Sequence, residues 1–158
     1  MAWHLAGFDV VNGATHQPPA VSDKGRVAAF ERTAQVRDLC NVQEIGLDTL
    51  KAWQAETGTK TLYVVDVRTP QEYEAGHLPG ARSAPGGQLV QETDSHMAVW
   101  RARVVLVDDN GVRATMTASW LIQMGWDDVA ILKMDGLGSG VRALVTGAHV
   151  PQALGFDA

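Results

Sequence analysis

Three short apolar, β-branched segments separated by helical patterns constrain the fold of this chain more than any other feature. They read TLYVVDV from Thr61, RVVLV from Arg103 and DVAIL from Asp128. Such runs are typical of strands that are buried on both faces of a parallel sheet. The order strand, helix, strand, helix, strand therefore predicts an α/β domain with a largely parallel central sheet.

The segments around these strands predict the helices. GLDTLKAWQAETG has apolar residues at helical spacing and is expected to end at Gly58 with a glycine cap. TPQEYEAG predicts a short helix, because Thr69 can cap it and Pro70 suits its first position. A further helix is expected over 116–124, a brief strand at ARSAP, and a weak helix or loop in the stretch after ARSAP.

Length, charge and cysteine content limit the class of function. The 158 residues suit one domain, and a net charge of −5 gives no bulk attraction for nucleic acid. No apolar run approaches the roughly 20 residues that span a bilayer, and the N-terminus lacks a signal-peptide pattern. We therefore expect a cytoplasmic protein that binds neither nucleic acid nor membrane. The single cysteine, Cys40, is expected to be a packed thiol rather than a nucleophile.

The two ends of the chain differ in pattern from its centre. The first twenty residues hold two glycines and two prolines with little periodicity. We therefore expect residues 1–35 to form an extended lead-in or the tail of a preceding module. Residues 36–142 are expected to form the domain, and residues 143–158 a C-terminal tail or linker. VNGATHQPPA and VTGAHVPQA resemble each other about one domain apart, as linkers in a tandem array would.

Carboxylates follow two of the strands at the edge where open parallel sheets bind ligands. Asp66 follows LYVV in the first run, and Asp108 and Asp109 follow VVLV in the second. A phosphate-receiver domain would also begin with VVLVDDNG, but the 49 residues after Asp109 are too few for its remaining strands. Asp108 and Asp109 could instead form a metal-binding or acid/base pair. No metal site is expected, because adjacent side chains point in different directions and no histidine is close in sequence.

The segment VVDVRTPQEYEAGHLPGARSAP, from Val64 to Pro85, resembles the N-terminal signature of rhodanese-like domains. In that signature Asp-x-Arg, Glu-Tyr and Gly-His-Ile/Leu-Pro-Gly-Ala follow one another at this spacing. VVLVDDNGVRA resembles the family's active-site loop, and WLIQMGWDDVAIL resembles its following helix and last strand. The resemblance covers about Ile45 to Gly140. It implies a rhodanese-like three-layer α/β/α domain with a mostly parallel central sheet.

The resemblance also implies a missing nucleophile. In the family a six-residue loop starts with the cysteine that carries sulfur as a persulfide, has glycine fourth and usually arginine last. The residues that align with it here are Asp108, Asp109, Asn110, Gly111, Val112 and Arg113. With Asp108 at the nucleophile position, no catalytic residue is predicted. Because a carboxylate accepts the same hydrogen bonds, Asp108 is expected to occupy the anion cradle and keep the loop closed. The loop is one residue shorter than in the phosphatase relatives, which argues against dephosphorylation.

The other candidate residues have both structural and functional interpretations. Asp66 and Arg68 could shape the pocket, but in the family they mainly brace the strand-to-loop junction. His77 could also shape the pocket and is expected to be a hydrogen-bonded turn residue rather than a catalyst. Arg113 could bind an anionic donor or pair with Asp108.

Three classes of function follow. The first is a non-catalytic rhodanese module that regulates or contacts an active module in cis or in trans. Double-domain members of the family typically carry such an aspartate in one module. The second is a scaffold within a thiosulfate sulfurtransferase that transfers sulfane sulfur in the full-length or assembled protein. The third is an enzyme that uses the two aspartates. Another rhodanese module and a small sulfur-containing anion are the expected partners, and no cofactor or metal is expected.

Overall fold

The computed structural model describes residues 2–10, 13, 19–56, 58–134 and 144–150. Its strands are β1 (Gln43–Glu44), β2 (Leu62–Asp66), β3 (Arg82–Ser83), β4 (Arg103–Asp108) and β5 (Val129–Lys133). They form a sheet in the order β1-β5-β4-β2-β3, in which every described pair is parallel. The predicted α/β domain with a mostly parallel sheet is confirmed.

The described helices are α1 (Ala2–Leu5), α2 (Asp23–Cys40), α3 (Leu47–Ala55), α4 (Pro70–Ala75), α5 (Gly86–Gln91), α6 (Thr93–His96) and α7 (Val112–Gln123). The helix expected to end at Gly58 ends at Ala55, and the helix expected over 116–124 begins at Val112. The uncertain stretch after ARSAP forms α5 and α6. Among the described residues, no helix is both long and apolar enough to cross a membrane.

Alternate residues of the central strands point to opposite faces of the sheet. In β4, Val104 and Leu106 join one apolar cluster, whereas Val105 and Val107 join a second cluster on the other face. Helices α5 and α7 contribute to the first cluster, and α3 contributes to the second. The sheet is therefore covered on both faces, as the three-layer arrangement requires.

The expectation of an extended lead-in over 1–35 is wrong for residues 23–35, which belong to α2. Ser22 caps this helix by accepting a hydrogen bond from the backbone N–H of Gly25 (3.1 Å), and the helix packs against α7. No residue of α2 is fully buried, and its Phe30 and Leu39 are exposed. The helix therefore lacks the strong apolar stripe by which a helix is recognised from sequence.

The predicted module limits are not tested by the fold and stay predictions. Residue 36, the expected start of the domain, lies inside α2. Most of VNGATHQPPA and the end of VTGAHVPQA lie outside the described residues, so the internal similarity stays a sequence observation.

Candidate functional site

The loop 108–113 joins β4 to α7 at the carboxyl edge of the sheet. Asp108 is the last residue of β4, and its side chain is fully buried (0% exposed). Its Oδ1 accepts a hydrogen bond from the backbone N–H of Gly111 (2.6 Å). Its Oδ2 accepts from the N–H groups of Arg113 (2.9 Å) and Ala114 (3.1 Å). This carboxylate therefore ties the start of α7 to the end of β4.

The first backbone N–H groups of α7 are all satisfied within the loop. The Oδ1 atom of Asn110 accepts from the N–H of Val112 (3.0 Å), and the next two N–H groups donate to Asp108. The N–H of Thr115 donates to the carbonyl of Gly111 (3.0 Å). A helix N-terminus ordinarily offers such groups to an external anion. Here these groups donate instead to acceptors of the chain itself, which are the side chains of Asn110 and Asp108 and the carbonyl of Gly111.

Gly111 has a backbone conformation that favours glycine. Its φ is +86°, in the left-handed region. A Cβ atom at this position would also come within 2.5 Å of Cε of Lys133, whose ammonium group pairs with Glu44 (2.9 Å). The backbone conformation therefore favours glycine at the fourth position of the loop, and any larger residue would also have to displace the flexible side chain of Lys133.

The environment of Asp108 both opposes and supports its negative charge. Burial raises the pKa of the Asp108 carboxyl above its usual value, because removal from water disfavours the charged form. The hydrogen bonds from the three backbone N–H groups lower the pKa again, and the nearby Asp109 carboxylate adds to the rise. The net effect is that the pKa of Asp108 lies above its usual value. Holding the charged carboxylate in the loop therefore costs desolvation free energy.

The side chain of Arg113 does not pair with Asp108, so that alternative is wrong. Its Nη1 and Nη2 donate to the two carboxylate oxygens of Glu72 (2.7 and 3.0 Å), and Nη2 also donates to Asp109 (2.9 Å). Glu72 in turn closes a capping box with Thr69 at the start of α4. The arginine therefore links the loop to α4.

Glu72 supplies a pH-dependent part of this link. The hydrogen bonds from Arg113, opposed by burial, lower the pKa of Glu72 to about 2 from a usual 4.5. A carboxyl whose pKa is lowered on folding stabilises the fold above its unfolded pKa and loses that effect as the pH falls. In chemical denaturation across pH, wild type should therefore exceed Glu72→Gln in stability at neutral pH, with the difference vanishing between about 4.5 and about 2.

A matched control for this prediction is Glu74→Gln, an exposed neighbour on the same helix. This variant should stay close to wild type throughout the titration. A difference between wild type and Glu72→Gln that does not change with pH would contradict the assigned role of the ion pair.

Asp66 and Arg68 form a buried ion pair where β2 meets α4. Asp66 is 0% exposed and Arg68 is 8% exposed. The Nε and Nη2 atoms of Arg68 donate to both oxygens of Asp66, at 2.7 Å for the shortest contact, and Nη2 also donates to the carbonyl of Gly76 (2.7 Å). These contacts brace the junction. A part for Asp66 or Arg68 in shaping a pocket stays a prediction.

His77 is buried and hydrogen-bonded at the end of the same segment. Its Nδ1 lies 2.8 Å from the carbonyl oxygen of Tyr73, and the two rings stack with centroids 3.6 Å apart. Its backbone forms two hydrogen bonds of 2.9 Å with Val145, an isolated antiparallel bridge. The following turn has Gly80 at φ +80° and closes from Ala81 N–H to the Leu78 carbonyl (3.0 Å).

Cys40 lies at the opposite end of the sheet from Asp108. It is the last residue of α2 and precedes β1, whose amino end lies beside that of β5. It is half-buried and packs against the core. Asp108, in contrast, lies at the carboxyl end of β4. In a parallel sheet these are opposite ends of the strands, so the Cys40 sulfur lies away from the loop 108–113.

Two residues at the site were missed in the sequence analysis. Glu72 binds Arg113, and Asn110, noted only as a member of the loop, caps the first N–H of α7. The pattern Thr69-x-x-Glu72 is a capping-box signal that could have indicated Glu72.

Within the ranges that the structure describes, no group of three or more His, Cys, Asp or Glu side chains could hold a metal ion.

The family model for the rhodanese-like domain matches residues 47–135, which include β2, the loop and β5. The chain belongs to the rhodanese-like domain family, as its resemblance predicted.

Three relatives show how this chain compares with known proteins. A thiosulfate sulfurtransferase from Pseudomonas aeruginosa, known from a crystal structure, is 51% identical in sequence to this chain, and the two structures match with a TM-score of 0.77. The match covers 95% of this chain and 28% of that one. The uncharacterized protein YqhL of Bacillus subtilis is 32% identical over 55% of this chain and 68% of its own length. The thiosulfate sulfurtransferase GlpE of Pseudoalteromonas translucida is 28% identical over 46% of this chain and 66% of its own length. This chain thus spans little more than a quarter of the Pseudomonas protein.

Proposed function

We propose that this chain is a rhodanese-like module that forms no persulfide itself and serves as a regulatory or structural partner of an active sulfurtransferase module. The observation that carries the proposal is the buried Asp108 carboxylate, which accepts three backbone hydrogen bonds. It does so at the loop position where the family has its cysteine.

The chemistry of the family requires a sulfur atom at that position. A thiolate attacks the sulfane sulfur of thiosulfate, the S–S bond of the donor breaks and sulfite leaves, and the sulfur stays on the cysteine as a persulfide until a nucleophilic acceptor removes it. A carboxylate has no comparable way to bind and release sulfur. It does satisfy the N–H groups that would otherwise stabilise the thiolate, so the loop can keep its shape without the reaction.

Cys40 offers no replacement for the missing thiol in this loop. It lies near the amino ends of β1 and β5, whereas the loop follows the carboxyl end of β4. The placement of Cys40 and the loop at opposite ends of the strands supports a module without its own nucleophile.

The length of the Pseudomonas aeruginosa sulfurtransferase supports an active partner in the same chain. Because the match covers 28% of the Pseudomonas aeruginosa sulfurtransferase, that protein has room for further modules. An active module beside this one would provide the cysteine.

A second candidate function is suggested by the 51% identity to that enzyme. In this alternative the module belongs to a thiosulfate sulfurtransferase and contributes only packing to the transfer of sulfane sulfur. Arg113→Ala separates the two alternatives in a longer protein that contains an active module. A regulatory loop would change the rate of thiocyanate release from thiosulfate and cyanide, whereas a pure scaffold would not.

The proposal is tested by intact mass after incubation with thiosulfate, read with and without a reductant. We expect no added sulfur on wild type. We expect one reductant-sensitive sulfur on Asp108→Cys in a Cys40→Ser background, because the three N–H groups would then stabilise a thiolate.

Asp109→Cys in the same Cys40→Ser background is the matched control, since its side chain lies outside the three-donor cradle. It should acquire little or no sulfur. A persulfide on wild type that disappears in Cys40→Ser would overturn the proposal.

A further inference from the structure

A cavity opens at the β3 edge of the sheet, separate from the loop 108–113. It has a volume of about 570 Å³ and is bounded by β3, α6 and residues 149–150. This size lies within the roughly 300–1,000 Å³ that is typical of small-molecule sites. No residue of the loop lines it. Nothing in the proposed function uses this cavity.

The polar lining of the cavity is basic or neutral. The polar residues that line it are Arg82, Ser83, Ser95, His96 and His149. None of the described lining residues is an aspartate or a glutamate, although the whole chain has a net charge of −5. Basic groups are therefore concentrated here against the overall charge, which favours an anionic ligand.

Arg82 is oriented but has no carboxylate partner among the described residues. Other arginines of the fold, Arg68, Arg103 and Arg113, each form ion pairs with carboxylates. The guanidinium carbon of Arg82 instead lies 5.5 Å from the centre of the Tyr63 ring, which holds it by a cation–π contact. Its planar set of N–H donors matches the oxygens of a carboxylate, sulfate or phosphate group.

Basic side chains also lie close to His149. Burial lowers the pKa of His149, and the nearby Arg82, His77 and His96 lower it further. Among the described residues the titratable side chain of Tyr73 is also a neighbour, and its ring meets the His149 ring edge-on at 6.2 Å. A bound anion would offset the repulsion and favour the charged imidazolium.

The edge strand adds uncharged donors to these groups. Among the residues that the structure describes, β3 lies at the end of the sheet order and pairs with β2 alone, so its outer backbone groups have no strand partner there. Ser83 and Ser95 line the same cavity. Charged and neutral donors thus converge from β3, α6 and the segment 144–150.

We propose that this cavity binds the oxyanion group of a small anionic molecule, with Arg82, His96 and His149 as its cationic contacts. Carboxylate, sulfate and phosphate groups share the chemistry that these side chains recognise.

Sulfate is the probe for this site, because it does not titrate in the range where histidine does. Binding is measured by calorimetry and by NMR of the histidine side chains, at constant ionic strength maintained with chloride. We expect saturable binding that perturbs His96 and His149. Sulfate should raise the pKa of His149, so its affinity should increase as the pH falls through that pKa.

Arg82→Gln and His149→Gln should each weaken sulfate binding about tenfold, the effect of losing one hydrogen bond to a charged group. Arg32→Gln, which removes an exposed arginine from α2, should leave it unchanged. Circular dichroism melts establish that each variant is folded. Binding that survives both cavity substitutions, spectral changes centred on the loop 108–113, or no saturable binding would overturn the proposal.

Discussion

Replacing Arg68 by alanine is expected to lower the free energy of unfolding by about 3–5 kcal/mol. The substitution removes the only cationic partner that the described residues provide for Asp66, which is 0% exposed. An unpaired buried carboxylate is far more costly than the ion pair is favourable. The substitution also leaves the carbonyl of Gly76 without the hydrogen bond that Nη2 of Arg68 donates. Urea denaturation followed by circular dichroism at neutral pH measures the effect.

The exposed pair of Arg26 and Asp23 on α2 is the control for this prediction. Arg26→Ala should cost no more than about 1 kcal/mol, because exposed ion pairs contribute little. Removing Asp66 together with Arg68 should cost less than the sum of the two single substitutions, since no charge is then left unpaired. An Arg68→Ala variant as stable as Arg26→Ala would contradict the buried ion pair.

Asp108→Ala is expected to lower the free energy of unfolding by about 2–4 kcal/mol. The backbone N–H groups of Gly111, Arg113 and Ala114 would lose their acceptor at the buried start of α7. Loss of a capping side chain destabilises a helix for the same reason. Part of this cost is offset, because the substitution also removes a carboxylate that burial disfavours. The same denaturation experiment provides the measurement.

The raised pKa of Asp108 determines how this effect changes with pH. A carboxyl whose pKa is raised on folding binds its proton more tightly in the native state, so its contribution to stability increases as the pH falls. The destabilisation by Asp108→Ala should therefore be larger in acid than at neutral pH. Asp109→Ala removes a partly exposed neighbour and should cost much less. Equal costs for the two substitutions would contradict the cradle geometry.

Local patterns in the sequence were sufficient to predict the three central strands of the sheet, but not the short edge strand β1. The apolar β-branched runs form β2, β4 and β5, because strands covered on both faces must be apolar on both. The prediction that Asp66 and Asp108 share one edge is confirmed, since β2 and β4 are parallel neighbours with Asp66 beside Val107. These features depend on properties that each segment carries by itself.

Contacts between distant segments were not predictable in this way. Helix α2 packs against α7 with no fully buried residue, so its own pattern does not distinguish it from a lead-in. Trp120 is 53% exposed, because it lies on the outer face of α7, whereas Trp126 is 2% exposed. Which face of a helix is covered depends on what packs against it.

The sequence by itself determined the alternation of strands and helices, the rhodanese-like signature and the order of residues in the loop 108–113. Only the tertiary structure decided what the loop side chains bind. Arg113 pairs with Glu72, 41 positions away in the chain, because β2 and β4 are neighbours and bring the segments after their carboxyl ends together. Likewise, Cys40 is separated from Asp108 because α2 ends at the opposite edge of the sheet. Spatial proximity of this kind arises from packing of the whole chain, which local spacing does not encode.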